Sequence, residues 1–290
     1  DSSDLITSTI QKFQEIRGEN LKVLNESENI VVLIDEAHRT QYGTFGMVLN
    51  TVLPNAAKIA FTGTPLLKSE LTTGEFGDYI DKYTIEQSVE DGATLQILYE
   101  GREVKTKVEG ESLDNLFEEY FSDKTKEEKN EIKRKYGIEK AVLEAPKRIR
   151  WVCLDIIKHY REKIQPNGFK AMIVTSSRHA AVMYKSMLDE LNAPSSNVII
   201  SGDHNDPEEL RKYTDNIEHK KIIKDFKEND LSESKCHIII VKDMLLTGFD
   251  VPICQVMYLD RKIMDHSLLQ AIARVNRPKE GKQRGFVVDY

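Results

Sequence analysis

The stretch Ile30-Val31-Val32-Leu33-Ile34-Asp35-Glu36-Ala37-His38 runs from consecutive apolar residues straight into two acids and a histidine. An apolar run of this length is typical of a strand buried on both faces of a parallel sheet. Because ligands of such sheets bind beyond the carboxyl ends of the strands, the carboxylates fall where a ligand site is expected. By itself, an acidic turn with a helix-capping aspartate explains the stretch equally well.

The two acids of this stretch suit different chemical roles. Asp35 suits a hard Mg²⁺ ion, which takes oxygen ligands from carboxylates, water and nucleotide phosphates. Glu36 could orient or deprotonate the water that attacks a γ-phosphate. A second apolar run, residues 58–61, ends in Thr62-Gly63-Thr64. Hydroxyls there could hydrogen-bond the acidic motif, and Gly63 would let backbones approach closely, although this second motif alone is an ordinary turn.

The later part of the chain repeats the alternation of strand and helix. We predict strands over residues 171–174, 198–200, 237–241 and 256–259, and helices over residues 179–191 and 267–275. Strands that alternate with helices indicate an α/β fold with a parallel sheet.

Two motifs in this later part carry phosphate-binding chemistry. Residues 246–252 follow a predicted strand and could offer donors to a nucleotide or a DNA phosphate, although alone they are an ordinary turn. At about 100° per residue, Gln270, Arg274 and Arg277 fall on one stripe of a helix. Arginine is suited to phosphate recognition, whereas the bland alternative is a solvated amphipathic helix. The opposite side of that helix is predicted to be core: Leu268, Leu269, Ile272 and Val275.

The middle of the chain is polar. Residues 95–108 alternate enough to predict a pair of strands, and residues 123–140 are crowded with Lys and Glu, which indicates an exposed helical insertion. We therefore predict three segments, over residues 1–92, 93–145 and 146–290.

Composition excludes several classes of protein. The chain is 40% hydrophobic and 31% charged, with a net charge of −7, which fits a globular protein and not a fibrous or disordered one. Its first residues lack the pattern of a signal peptide, and no apolar run is long enough for a membrane span. The 3 cysteines show no C-x-x-C spacing, which favours reduced thiols in a cytoplasmic protein. Basic residues near the C-terminus could still meet phosphates: Arg261, Lys262, Arg274, Arg277, Lys279, Lys282 and Arg284.

Taken together, these motifs resemble the motor of superfamily 2 helicases and translocases. The acidic stretch resembles motif II and Thr62-Gly63-Thr64 motif III, while residues 247–250 and 270–277 resemble motifs V and VI. Residues 174–178 stand where motif IV is expected, and residues 9–13 resemble motif Ib. The fuller strings, residues 35–43 and 270–278, are similar to the restriction (R) subunit of type I restriction-modification enzymes.

That resemblance implies an α/β fold of two RecA-like parallel-sheet motor domains, the first incomplete at its N-terminus, joined by a polar helical insertion. It implies ATP and Mg²⁺ as cofactors, bound in a cleft between the acids and the arginines, and double-stranded DNA as substrate. The modification (methyltransferase) and specificity subunits would be its partners, and the latter would read the DNA sequence.

The resemblance also assigns roles to individual residues. The implied catalytic residues are Asp35, which would hold Mg²⁺, and Glu36, Arg274 and Arg277. The implied residues for ATP binding or coupling are His38, Thr62, Gly63, Thr64, Gly248, Asp250 and Gln270. The implied DNA contacts are Thr9, Gln11, Thr175, Ser176, Arg178 and Thr247.

One departure from the family pattern concerns the phosphate-binding loop. No G-x-x-x-x-G-K-[ST] occurs in the chain, so we expect a fragment that begins inside the first motor domain, lacks the family's nuclease domain and hydrolyses ATP negligibly alone. Another superfamily 2 DNA or RNA motor, or a non-enzymatic module that docks nucleic acid, remains an alternative.

Overall fold

The computed structural model of the chain forms two compact units, Asp1–Tyr83 and Thr84–Tyr290. It describes residues 5–9, 12, 22–35, 37, 42–63, 78–102, 113–263 and 265–290.

The first unit contains a parallel pair of strands, β1 (Val31–Ile34) and β2 (Ala57–Ala60), connected by helix α1 (Tyr42–Val52). Both predicted strands are confirmed. Leu49 of α1 packs with Ile34 and Val32 on one face of the pair. The expectation that β1 is buried on both faces is wrong for the described residues: its side chains alternate, and Leu33 on the other face is 63% exposed.

The second unit is built on one six-stranded, all-parallel sheet in the order β3-β8-β7-β4-β6-β5. Its strands are β3 (Ile97–Gly101), β4 (Lys170–Thr175), β5 (Ser196–Ile199), β6 (Ile238–Val241), β7 (Cys254–Asp260) and β8 (Gly285–Asp289). Its helices are α2 (Ile85–Glu90), α3 (Leu113–Tyr120), α4 (Lys126–Tyr136), α5 (Ile138–Leu143), α6 (Pro146–His159), α7 (Arg178–Glu190), α8 (Glu208–Arg211), α9 (Asn216–Glu228) and α10 (Asp265–Ile272).

The centre of this sheet agrees with the prediction from the sequence. Every residue of β4, β6 and β7 is buried, as continuous apolar strands covered on both faces should be. The four strands predicted here and the helix predicted over residues 179–191 are confirmed. The parallel α/β fold expected from the motif pattern is therefore present.

The edge of the sheet differs from the prediction. Residues 97–101 form one strand, which pairs with β8; the second strand of the predicted pair would fall mostly on residues 103–112, which lie outside the described residues. The backbone N–H groups of Leu95 and Arg102 donate to the carbonyls of Asn276 and Asp289, both at 2.7 Å. The boundary between the two compact units lies at Tyr83 and Thr84, and the described residues of 93–145 belong to the second unit.

The polar middle of the chain is helical, as predicted. Helix α4 begins with a capping box in which Thr125 and Glu128 satisfy each other's backbone N–H groups. The middle segment is not wholly solvated, however, because its helices α3 and α5 bury a small apolar core. That core consists of Leu116, Phe117, Tyr120, Ala141, Val142 and Ala145.

Two lysines are buried near the amino ends of the strands. Lys170 Nζ donates to Ser234 Oγ at 2.7 Å, and Lys282 Nζ donates to the carbonyls of Cys254 at 2.7 Å and Pro252 at 2.9 Å. Burial lowers the pKa of Lys282 from its ordinary value of 10.5 to about 8. The expectation that Lys282 is available to phosphates is therefore wrong.

This buried lysine predicts a pH dependence of stability. Between pH 8 and 10.5 the unfolded chain holds the Lys282 proton and the folded chain does not, so the free energy of unfolding rises with pH. We expect Lys282→Met to remove this component, which is at most about 1.4 kcal/mol per pH unit. Urea unfolding followed by fluorescence of Trp151, the 1 tryptophan of the chain, measures the difference between wild type and variant. A difference that stays constant from pH 7.5 to 10 contradicts the assignment.

Candidate functional site

The acidic motif of the first unit lies at the carboxyl end of β1, beside the end of β2. Asp35 is exposed and directly follows β1, and Phe61 follows β2. The Phe61 N–H donates to the Ile34 carbonyl at 2.8 Å, and the Ala37 N–H donates to the Phe61 carbonyl at 3.2 Å. These two backbone bonds hold the ends of the two loops against each other; the predicted bonds from the threonine hydroxyls to the acidic motif stay a prediction.

The ends of these loops offer donors of the predicted kind. Asp35 presents an exposed carboxylate and Thr62 a half-buried hydroxyl at the same sheet edge. An exposed carboxylate with room for water and phosphate oxygens fits Mg²⁺. The physical reason proposed for Gly63 is wrong for the described residues, because a Cβ there would meet no atom within 4 Å.

Several predicted site residues of the first unit lie outside the described residues: Gln11, Glu36, His38 and Thr64. Thr9 is described and exposed, and its carbonyl accepts from the Lys12 N–H at 3.2 Å. The roles of these five residues stay predictions.

In the second unit, the helix that carries motif VI is shorter than predicted. Helix α10 ends at Ile272, and the next residues form a tighter turn in which the Arg274 and Val275 N–H groups bond the carbonyls three residues back. Val275 turns inward against the start of β8, where a Cβ on Gly285 would lie 2.5 Å from the Val275 carbonyl oxygen. The prediction that Arg277 shares the helical stripe of Gln270 is therefore wrong. Leu269, predicted as core, is 42% exposed.

The two motif VI arginines contact the motif V segment, which we define as residues 242–250. Arg274 Nη1 donates to the Phe249 carbonyl at 2.9 Å, and its Nε donates to the Gln270 carbonyl at 3.1 Å. Arg277 Nε lies 3.7 Å from Asp250 Oδ1 in an ion pair whose side chains are 41% and 69% exposed. Motifs V and VI therefore form one connected surface within the second unit.

The motif V segment is an irregular loop with a buried anchor. Phe249 is buried, whereas Thr247, Gly248 and Asp250 are exposed. Gly248 has φ +66°, and Leu245 has φ 68°. Glycine adopts this left-handed region freely, but a residue with a Cβ does so at a cost. The loop thus presents its polar residues while Phe249 holds it to the core.

The motif IV loop points more side chains inward than predicted. Thr175 is fully buried. Its hydroxyl lies within donating distance of the carbonyls of Ser177, at 3.0 Å, and Val241, at 3.1 Å. Arg178 Nη1 donates to the buried Asp206 at 2.5 Å and to the Ser201 carbonyl at 2.9 Å. The Thr175 side chain is therefore not accessible to DNA in this structure. The Arg178 guanidinium is bonded to groups of the protein itself.

A histidine and two acids surround this loop. Ser176 Oγ donates to Glu144 Oε1 at 3.4 Å. His179 lies 3.9 Å from Glu144 and 3.8 Å from Glu209, and the Glu144 hydrogen bond raises the pKa of His179. The sequence gives no signal for this cluster, because its members come from three separate parts of the chain.

The described residues hold no group of three or more His, Cys, Asp or Glu side chains arranged as metal ligands. Within the same ranges, no helix has the length and apolar character needed to cross a membrane.

Two protein-family models and a solved structure are similar to this chain. The SWI2/SNF2 ATPase family model matches residues 1–130, and the model for type I restriction enzyme subunit R domain 3 matches residues 199–290. A fragment structure described as an HsdR subunit of a type I restriction enzyme from Vibrio vulnificus YJ016 superposes with a TM-score of 0.58. It is 20% identical and covers 90% of this chain and 43% of that one. The chain thus has the α/β fold of RecA-like helicase domains.

Two sequence relatives match nearly the whole chain. The chain is 38% identical over 294 residues to the MjaIXP endonuclease subunit of Methanocaldococcus jannaschii, which is assigned to the type I restriction enzymes; the match covers 99% of this chain and 28% of that protein. It is 34% identical to the type I restriction enzyme HindI endonuclease subunit of Haemophilus influenzae, over 98% of this chain and 29% of that protein. The chain is therefore similar, over nearly its whole length, to endonuclease subunits of type I restriction enzymes, as its motifs predicted, and it spans under a third of the length of these two relatives.

Proposed function

We propose that this chain is part of the ATP-driven motor that moves double-stranded DNA through a type I restriction enzyme. The observation that carries the proposal is the pairing of motifs II and III, with exposed Asp35 and half-buried Thr62 at adjoining ends of two parallel strands. The homology to R subunits supports the same conclusion.

Asp35 would hold Mg²⁺ together with water and the phosphates of ATP, and Thr62 would respond to the state of the nucleotide. When bound, MgATP supplies the phosphoryl bond whose hydrolysis drives the motor, and the metal offsets charge on the phosphates. Glu36 is proposed to orient the attacking water and accept its proton. His38, Thr64 and Gly63 complete the proposed motif II and III set.

In the second unit, Arg277 is proposed to stabilise charge on the triphosphate, and Arg274 to hold motif VI to motif V. Gly248, Asp250 and Gln270 would couple nucleotide state to the DNA contacts. Those contacts are proposed at Thr9, Gln11, Ser176 and Thr247. Modification and specificity subunits are the proposed partners of the complete R subunit.

Asp35→Asn in the full-length R subunit tests this function. Several kcal/mol of metal-dependent charge stabilisation should be lost, so we expect duplex-stimulated ATP hydrolysis to fall by about 10²-fold or more. Asp78→Asn is the matched control, because Asp78 is an exposed aspartate of the same unit. Steady-state ATPase with duplex DNA, duplex RNA or no nucleic acid is the measurement. Equal rates for both Asp variants and wild type, or stimulation by RNA alone, would contradict the proposal.

A further inference from the structure

The motif V segment is fastened at its first residues by Arg261. Arg261 Nη1 donates to the Lys242 carbonyl at 2.8 Å and to Asp243 Oδ1 at 2.6 Å. The Arg261 side chain is only 23% exposed. Burial would raise the pKa of Asp243, but hydrogen bonds from Arg261 and Lys242 outweigh it and lower that pKa, so the pair remains ionic at neutral pH.

The backbone that carries Arg261 is also held in place. Arg261 directly follows Asp260, the last residue of β7, which is buried. Asp260 pairs with Arg148 at 2.7 Å and accepts from the Tyr184 hydroxyl at 2.5 Å. A charged group held by two buried partners at a strand end is a rigid point of attachment.

The other end of the segment is fastened by motif VI, through the hydrogen bond from Arg274 Nη1 to the Phe249 carbonyl. Between the two attachments lie exposed Thr247 and the left-handed Leu245. A left-handed backbone is unfavourable at a residue with a Cβ, and it persists only where the surroundings hold it.

From this arrangement we infer that Arg261 is a positioning residue: it holds the motif V segment so that the DNA contact at Thr247 and the arginines of motif VI respond together. The inference rests on the proposed function. Arg261 touches neither nucleotide nor DNA in this account; it acts through the backbone at Lys242 and the carboxylate of Asp243. Without it, the segment keeps its motif VI attachment but loses the one next to β6, so Thr247 would be presented in many conformations.

The test uses Arg261→Ala in the full-length R subunit. We expect the DNA concentration for half-maximal ATPase stimulation to rise about 10-fold, while the rate without DNA stays near wild type. The thermal midpoint of the 290-residue chain carrying the same substitution, followed by Trp151 fluorescence, should also stay near wild type. Arg150→Ala is the matched control, since it removes an exposed arginine of the same unit that pairs with Glu190, and it should leave DNA dependence unchanged. Arg261→Lys should recover part of the loss.

Two further results separate positioning from simple stability. In a Thr247→Ala background, Arg261→Ala should add little to the DNA half-saturation, because both changes remove the same contact. If Arg261→Ala fails to fold, Asp243→Asn takes its place, because it keeps the shape of the side chain and removes its charge. We expect Asp243→Asn to raise the DNA half-saturation as well. Fully additive effects, or a wild-type DNA half-saturation in both Arg261→Ala and Asp243→Asn, overturn the inference while leaving the proposed function intact. A wild-type protein whose ATPase ignores DNA overturns both.

Discussion

Arg277→Ala in the full-length R subunit is expected to lower duplex-stimulated ATP hydrolysis by roughly 10³–10⁵-fold, the range for arginines that stabilise the charge of phosphoryl transfer. The structure gives Arg277 the freedom for such a role. It lies beyond the end of α10, is 41% exposed, and its nearest described acid, Asp250, is at 3.7 Å, longer than a hydrogen bond. The loss should appear in kcat, with the thermal midpoint unchanged.

Two further variants serve as controls for this prediction. Arg277→Lys should recover little, because an ammonium group lacks the planar fork of a guanidinium. Arg150→Ala removes a surface arginine that pairs with Glu190 at 2.6 Å, and it should leave kcat at the parental value. An unchanged kcat in Arg277→Ala, together with a normal melt, would mean that Arg277 is ordinary surface.

Arg148→Met is expected to cost the second unit about 3–5 kcal/mol of unfolding free energy, the range for breaking a buried ion pair from one side. Arg148 and Asp260 are 7% and 2% exposed, and their charged atoms are 2.7 Å apart. Arg148 also donates to the Leu143 carbonyl at 3.2 Å, which joins α5 to α6. Removing the guanidinium leaves the buried Asp260 with the Tyr184 hydroxyl but no counter-charge.

Urea unfolding of the 290-residue chain, followed by Trp151 fluorescence, measures this cost, because Trp151 lies in α6 beside Arg148. Arg150→Met is the matched control in the same helix, and its exposed pair should be worth no more than about 1 kcal/mol. Asp260→Leu combined with Arg148→Met should restore much of the loss, since neither charge is then buried alone. A single-variant loss below about 1 kcal/mol contradicts this account of the pair.

The sequence predicts the sheet centre well and its edge poorly, for a physical reason. Strands β4, β6 and β7 are buried on both faces, and continuous apolar runs in a sequence predict strands of this kind. Strand β8 begins with a glycine after a charged stretch, and its partner β3 lies nearly two hundred residues earlier in the chain. Such a pairing is decided by tertiary packing, which no local pattern encodes.

The same limit applies to the candidate site. Asp35 and Thr62 fall at neighbouring strand ends as predicted, because parallel strands bring their carboxyl ends to one edge. Arg277 leaves the predicted helix because Val275 packs against Gly285. Thr175 turns inward because the β6 carbonyl of Val241 is there to accept its hydroxyl. Both differences come from contacts between distant parts of the chain.

Movement along DNA can be measured with the full-length R subunit assembled with its modification and specificity subunits. A triplex-forming strand is placed at increasing distances from the recognition site on linear duplex DNA, and its displacement is timed. We expect displacement that requires ATP hydrolysis, is delayed in proportion to distance, and is abolished by Asp35→Asn and Arg277→Ala. Displacement without ATP, or ATP hydrolysis by the assembled enzyme with no displacement at any distance, would contradict the proposed function.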